Sequence, residues 1–145
     1  MEKQIIAIAS DHAAVELKAT IKDMLTQAGY VAVDLGPFNA DSVDYPDFAH
    51  KLCDAMAAGD ATMGILMCGS GIGMSIAANR HKGIRAALCQ NGYEATLARQ
   101  HNNANVLCMG ARLIGVDMAK DCVRHFVNTP FEGGRHLTRV AKLDQ

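Results

Sequence analysis

One stretch of this 145-residue chain combines a thiol, a hydroxyl and three glycines: Cys68-Gly69-Ser70-Gly71-Ile72-Gly73. The apolar run Gly64–Met67 before it reads as a buried strand, and Met74–Asn79 after it reads as helix. A strand that passes through glycines into a helix gathers backbone N–H groups at one point, which suits an anion or a developing oxyanion. A Cys at that point is placed where its thiolate is favoured. The loop is no dinucleotide fingerprint, since its glycines read G-S-G-I-G and no acidic residue closes the next strand; it lacks the Lys-Ser/Thr of a phosphate-binding P-loop. Two readings remain open on these residues alone: a functional cradle, or a tight turn beside a buried strand-end cysteine.

Other polar residues fall where they can serve such a loop. Asp11-His12 leaves the first strand and can orient a ligand oxygen or phosphate, or can be a helix cap with an exposed His beside it. His101-Asn102 stands at a helix end. Arg135 and Arg139 follow the Gly133-Gly134 hinge; four residues apart on a helix they share one face, which suits a phosphate or simply solvent. Arg112 lies just past the fifth strand, and Tyr45 offers a hydroxyl or packs. None of this has metal-ligand spacing, and His50, His81 and His125 complete no cluster.

The elements that carry these residues alternate. Strands are expected at 5–9, 30–35, 64–67, 85–89 and 104–109, with helices at 13–28, 46–58, 74–79, 92–100 and 114–126 and a short terminal helix within 135–145. His101-Asn102-Asn103 reads as the polar stop of the fourth helix. This alternation predicts an α/β, three-layer sandwich around a five-stranded parallel sheet, in one domain spanning 1–145. Ligands of such sheets bind beyond the carboxyl ends of the strands, so the segments at Asp11, Tyr45, Cys68, Cys89-Gln90-Asn91 and Gly110-Ala111-Arg112 are expected to share one mouth.

Bulk properties narrow the function. A net charge of −1, scarce aromatics and no Trp argue against nucleic acid or an anionic membrane as partner. Five cysteines without a CxxC pair fit a reducing, cytoplasmic setting. No apolar stretch reaches a membrane span, and the N-terminal apolar run is too short for a signal peptide.

Taken together and in order, Asp11-His12, Asp44-Tyr45-Pro46, Cys68 to Gly73 leading into Ser75–Asn79, Arg99-Gln100-His101-Asn102 and Glu132-Gly133-Gly134-Arg135-His136 resemble ribose-5-phosphate isomerase type B. That family also holds galactose-6-phosphate and allose-6-phosphate isomerases. The resemblance covers nearly the whole chain. It implies a Rossmann- or flavodoxin-like fold, no cofactor, a phosphorylated aldose or ketose as substrate, and a homodimer, or a dimer of dimers, with a shared active site at which residues 130–145 pack. It implies that Cys68 is the base between C1 and C2, that Ser70 and the amides of Gly69, Gly71 and Gly73 hold an enediolate oxygen, and that His101 with Asp11 opens the sugar ring. Asn102 and Tyr45 would bind substrate; His12, Arg135 and Arg139 would bind phosphate, with Arg112 entering from the other subunit together with His101 and Asn102. Some members carry Glu at the position of Met74 and lack the Cys; this chain has Cys68 and Met74 and groups with the cysteine-base type. Ser70 stands where many members have Thr and keeps the hydroxyl. The rivals are a six-carbon 6-phosphate isomerase of the same family and a sugar-phosphate-binding module without catalysis.

Overall fold

The structure, a computed structural model, describes residues 4–145; the expected domain's residues 1–3 lie outside it. Five strands form one parallel sheet: β1 (Ile5–Ser10), β2 (Val31–Asp34), β3 (Met63–Cys68), β4 (Ala86–Leu88) and β5 (Val106–Gly110). Their order is β2-β1-β3-β5-β4. The first three follow flavodoxin-like order and the last two are exchanged, so β5 is central and β4 forms an edge. The helices are α1 (Val15–Gln27), α2 (Tyr45–Ala57), α3 (Ile72–Ala78), α4 (Gly92–Asn102), α5 (Val116–Asn128) and α6 (His136–Leu143), with a 3-10 turn at His12–Ala14.

The near-continuous apolar reading of β3 and β5 follows from burial on both faces. Alternate side chains serve different layers. Ile6, Ile8, Ile65, Met67, Leu107 and Met109 pack under residues of α1, α4 and α5, including Ile21, Ala98 and Phe126. Ala7, Ala9, Leu66, Cys68, Val106 and Cys108 face α2 and α3 through Leu52, Cys53, Met74 and Ala78. The small residues Ala7, Ala9 and Gly64 let the second layer lie close; a Cβ on Gly64 would meet Leu52 Cδ2 at 2.5 Å.

Three boundaries differ from expectation in ways that matter. α3 starts inside the glycine loop, at Ile72, because left-handed Gly71 (φ 78°) turns the chain straight into helix. α4 begins with Asn91 accepting from the Glu94 amide (2.8 Å) while the Glu94 carboxylate takes the Gln90 amide (2.7 Å), a reciprocal cap. It then runs through His101 and Asn102, and Asn103, left-handed at φ 48°, is the stop. α5 starts at Val116, after Gly115, rather than at 114. No helix among the described residues is long and apolar enough to cross a membrane.

Candidate active site

β3 delivers Cys68 to the carboxyl edge of the sheet. Register continues one step past the strands: Cys68 pairs Gly110, the Ala111 amide donates to Cys68 O (2.8 Å), and the Arg112 amide donates to Gly69 O (3.0 Å). The chain after β5 is thereby tied to the glycine loop. Gly71 donates its amide to the Cys68 sulfur (3.1 Å), and Ile72 donates to Ser70 Oγ (3.2 Å). Among the described residues, no acceptor takes the Gly69 and Ser70 amides. The loop thus holds a sulfur that is already an acceptor, two unspent N–H donors and a hydroxyl.

A cavity of about 580 Å³ opens over this loop, lined by Asp11, Tyr45, Cys68, Gly69, Ser70 and Gly73, by Arg112, and by the apolar Ile72, Ile76 and Leu113. Its size is ordinary for a small-molecule site. Asp11 is nearly buried and caps the turn with one carboxylate oxygen (Ala13 N to Oδ1, 3.0 Å). Asp11 is therefore a cap, and it also lines the cavity. His12, beside it, accepts the Val43 amide on Nδ1 (3.1 Å), which leaves Nε2 as the N–H donor of a neutral ring. Tyr45 lies against Gly73, where any Cβ would collide with the phenol ring; only Gly admits the ring there. Gly71 does not line the cavity but supports it, since a Cβ there would meet Leu88 Cδ1 at 2.7 Å and the Met109 backbone at 2.8 Å.

Cys68 differs from the other cysteines by where it sits. Burial pushes the Cys53 and Cys122 thiols up to about 11, each with a nearby carboxylate adding to it. It pushes Cys89 to about 12, helped by Cys122 and Glu94. Fully enclosed Cys108 is driven well above the ordinary thiol value by burial and then by the neighbouring cysteines, Cys68 first among them. These four are inert core thiols.

Four of the expected site residues lie elsewhere. His101 and Asn102 end α4, which starts at the carboxyl edge and runs about 16 Å along its axis, so they sit at the amino edge, the wrong end to reach Cys68 of the same chain. The terminal segment joins them there. The Glu132 amide donates to Gln100 O (3.1 Å), the His136 ring stacks on His101 (centroids 4.5 Å apart), and Arg85, entering β4, pairs with Asp144 at 3.0 Å. Arg135 and Arg139 therefore group with His101, whereas Arg112 stands over Gly69 of its own chain, its Nη1 3.4 Å from where a Gly69 Cβ would be. This corrects the expected grouping, which put Arg112 with His101 and Asn102 and the two tail arginines with Cys68. The reason is topological: Arg112 directly follows a central strand at the carboxyl edge, while α6 packs on the far end of α4. Cys89-Gln90-Asn91 is likewise absent from the cavity, because β4 is an edge strand and Asn91 is occupied as a cap.

Two further features support the site or its surroundings. The sequence places Gly110 at the end of a strand and at the mouth; the structure adds that a Cβ there would strike the Ser70 backbone at 2.5 to 2.8 Å, so Gly110 is the floor of the loop. Glu132 and His136 carry no assigned role in the sequence reading; with His101 they bring three ligand-type atoms within 4.8 Å of one another. Their four-residue spacing was the available signal.

The family model described as Ribose/Galactose Isomerase matches residues 6–143. Ribose-5-phosphate isomerase B of Escherichia coli strain K12 is 43% identical over 138 residues, which is 95% of this chain and 93% of that protein. D-erythrulose-4-phosphate isomerase of Pectobacterium atrosepticum is 44% identical over 140 residues, covering 95% of this chain and 91% of that one. The crystal structure of a ribose 5-phosphate isomerase from Thermotoga maritima is 52% identical, superposes with a TM-score of 0.95 and covers 99% of both chains. The chain belongs to the ribose/galactose isomerase family.

Proposed function

We infer that this chain is an aldose–ketose isomerase that interconverts ribose 5-phosphate and ribulose 5-phosphate. The observation that carries the reading is the Cys68 sulfur at the wall of the cavity, beside the unspent Gly69 and Ser70 amides. The reaction moves one proton between C1 and C2. Cys68 takes it from C2, the electron pair left behind forms the C1–C2 double bond of a cis-enediolate, and the proton returns to C1. Negative charge develops on the carbonyl oxygen, and donors already aimed at it lower the barrier. A base poised near the working pH supplies typically about 10²–10⁴-fold. The residues required are an acid–base pair, oxyanion donors and a phosphate clamp, so the chemistry calls for neither hydride carrier nor metal.

The substrate is cyclic in solution, and its ring must open first: the anomeric hydroxyl loses a proton, C1=O1 forms, the C1–O4 bond breaks and O4 gains a proton. His101, with Asp11, performs that step. Because His101 lies at the amino edge, it comes from a second copy of the chain, together with Asn102, Arg135 and Arg139 and the rest of segment 130–145. The exposed apolar side chains Ile72, Ile76 and Leu113 around the cavity mouth support a homodimer seated there. His12 and Arg112 of one chain and Arg135 and Arg139 of the other then hold the phosphate, and Tyr45 contacts a sugar hydroxyl.

Subunit complementation tests this reading. Cys68→Ala abolishes ribose 5-phosphate turnover and His101→Ala leaves only a small residual rate. Unfolded together and refolded as a mixture, they regain about a quarter of wild-type activity, because half the dimers are mixed and each mixed dimer has one intact site. A mixture as inactive as its components refutes the shared site; an active Cys68→Ala enzyme refutes the base. Running ribose 5-phosphate beside allose 6-phosphate, galactose 6-phosphate and erythrulose 4-phosphate fixes the chain length of the sugar.

A further inference from the structure

Glu132, His136 and His101 form a cluster that the proton transfer at Cys68 does not use. The Glu132 carboxylate Oε1 lies 3.5 Å from His136 Nε2 and 3.9 Å from His101 Nε2. The two rings are stacked, 15° from parallel. His136 is nearly buried behind, while His101 stays partly exposed in front. Stacked imidazoles hold their nitrogen lone pairs in parallel planes, so they do not converge on one ion as metal ligands must. What the arrangement does provide is a carboxylate at one nitrogen of His101 and an aromatic wall along its face.

The backbone around the cluster is built to hold it. The Glu132 amide is tied to Gln100 O, one residue before His101. Gly133 and Gly134 are both left-handed (φ 68° and 55°), which turns the chain so that His136 begins α6 under His101. Upstream, the Arg99 guanidinium donates to Thr129 O (3.0 Å), to Asn103 Oδ1 (3.0 Å) and to Ala104 O (2.6 Å), fixing the start of the same segment to the end of α4.

We propose that Glu132 and His136 are positioning residues for ring opening: Glu132 holds a proton on Nε2 of His101, His136 fixes the ring plane, and Nδ1 is thereby presented to the anomeric hydroxyl. A carboxylate on the far nitrogen sets the tautomer and raises the basicity of the near one. The present separations exceed hydrogen-bond length, and they close by under an ångström when substrate binds, as catalytic contacts do. In the ring-opening step the anomeric proton passes to Nδ1, and the charge that appears on the imidazole is met by the Glu132 carboxylate. The proposal rests on the reading of His101 as the ring-opening residue.

The test separates ring opening from proton transfer. Ribulose 5-phosphate has no furanose form, because its O5 carries the phosphate, so loss of tritium from its C1 to water reports the Cys68 step alone. In Glu132→Gln and in His136→Ala, kcat on ribose 5-phosphate falls about 30-fold or more, while tritium release falls at least tenfold less than that. Glu132→Asp, which keeps the charge, recovers part of the loss, and Glu132→Gln added to His101→Ala produces no further loss. Equal losses in both assays, or additive losses in the double variant, overturn the positioning role. If His101→Ala splits the two assays and Glu132→Gln does not, this inference fails while the ring-opening reading stands. If His101→Ala itself shows no split, both fail.

Discussion

Replacing Gly110 with Ala perturbs the proton-transfer site without touching a polar atom. The added Cβ would stand 2.5 Å from Ser70 O, 2.6 Å from its carbonyl carbon and 2.8 Å from its Cα. Ordinary contact begins near 3.4 Å, so the two backbones must part by about 0.9 Å at the closest point. None of the three atoms is the end of a flexible side chain. Ser70 is also bracketed by ties on both sides, Arg112 N to Gly69 O and Gly71 N to Cys68 Sγ, so displacement carries the oxyanion donors and the sulfur with it. Overpacking of this kind costs about 1–3 kcal/mol of stability, and moving a catalytic group by about 1 Å costs about 10²-fold in rate. Gly110→Ala should therefore lose about 10² in kcat on ribose 5-phosphate with a smaller change in KM, since of the proposed phosphate clamp only Arg112 adjoins the loop. The urea midpoint should fall by the smaller, separate amount. Gly115→Ser is the matched control: φ is −75°, nothing lies within 4 Å, and Ser is at home at a helix N-cap. A folded Gly110→Ala protein with kcat within threefold of wild type would refute the claim that the β5 backbone holds the loop in register.

Two predictions concern stability. Lys18 is buried against Asp34, its Nζ 2.6 and 2.7 Å from the two carboxylate oxygens, so Lys18→Met leaves an unpaired charge and costs about 3–5 kcal/mol. Urea titration at pH 7 measures it, and adding Asp34→Asn should recover part of the loss; a cost below 1 kcal/mol sinks the claim. Cys89 keeps its proton in the fold up to about pH 12, against an ordinary 9.0. Between those values the unfolded chain binds fewer protons than the native one, so stability falls as pH rises from 9. Cys89→Ala removes that slope: its stability deficit relative to wild type should be smaller at pH 10.5 than at pH 8, and an unchanged deficit would show that the thiol does not titrate in this way.

The strand–loop–helix unit was legible because its signals are local. A short apolar run, three glycines and a following helix state their own geometry, and the Cys68 loop lies where that geometry requires. Small offsets at its ends have local causes too: left-handed Gly71 starts α3 two residues early, and the Asn91–Glu94 cap fixes α4 so firmly that it continues through His101 and Asn102. What was not legible depends on strand order. Nothing in the residues of 85–89 or 104–109 says that β5 lies inside β4. That exchange takes Cys89-Gln90-Asn91 out of the mouth and sets Arg112 above Gly69.

The same geometry explains why the polar residues of this chain fall into two groups that cannot meet within it. In a parallel sheet every strand ends at the carboxyl edge, and every crossover helix returns its own C-terminus to the amino edge. Asp11, Cys68, Ser70 and Arg112 leave strands; His101, Asn102 and the segment packed on them leave a helix. Neither rotamer changes nor loop motion bridges the length of α4. A chemistry needing both a base at a strand end and a histidine at a helix end therefore requires two copies, each offering opposite edges. The mouth of the cavity is ringed by Ile72, Ile76 and Leu113, and so presents apolar surface where that second copy would seat. On the proposed dimer, isolating the monomer should consequently cost ring opening far more than proton exchange from the open-chain sugar, because there only the first step would draw its acid–base residue from across the contact.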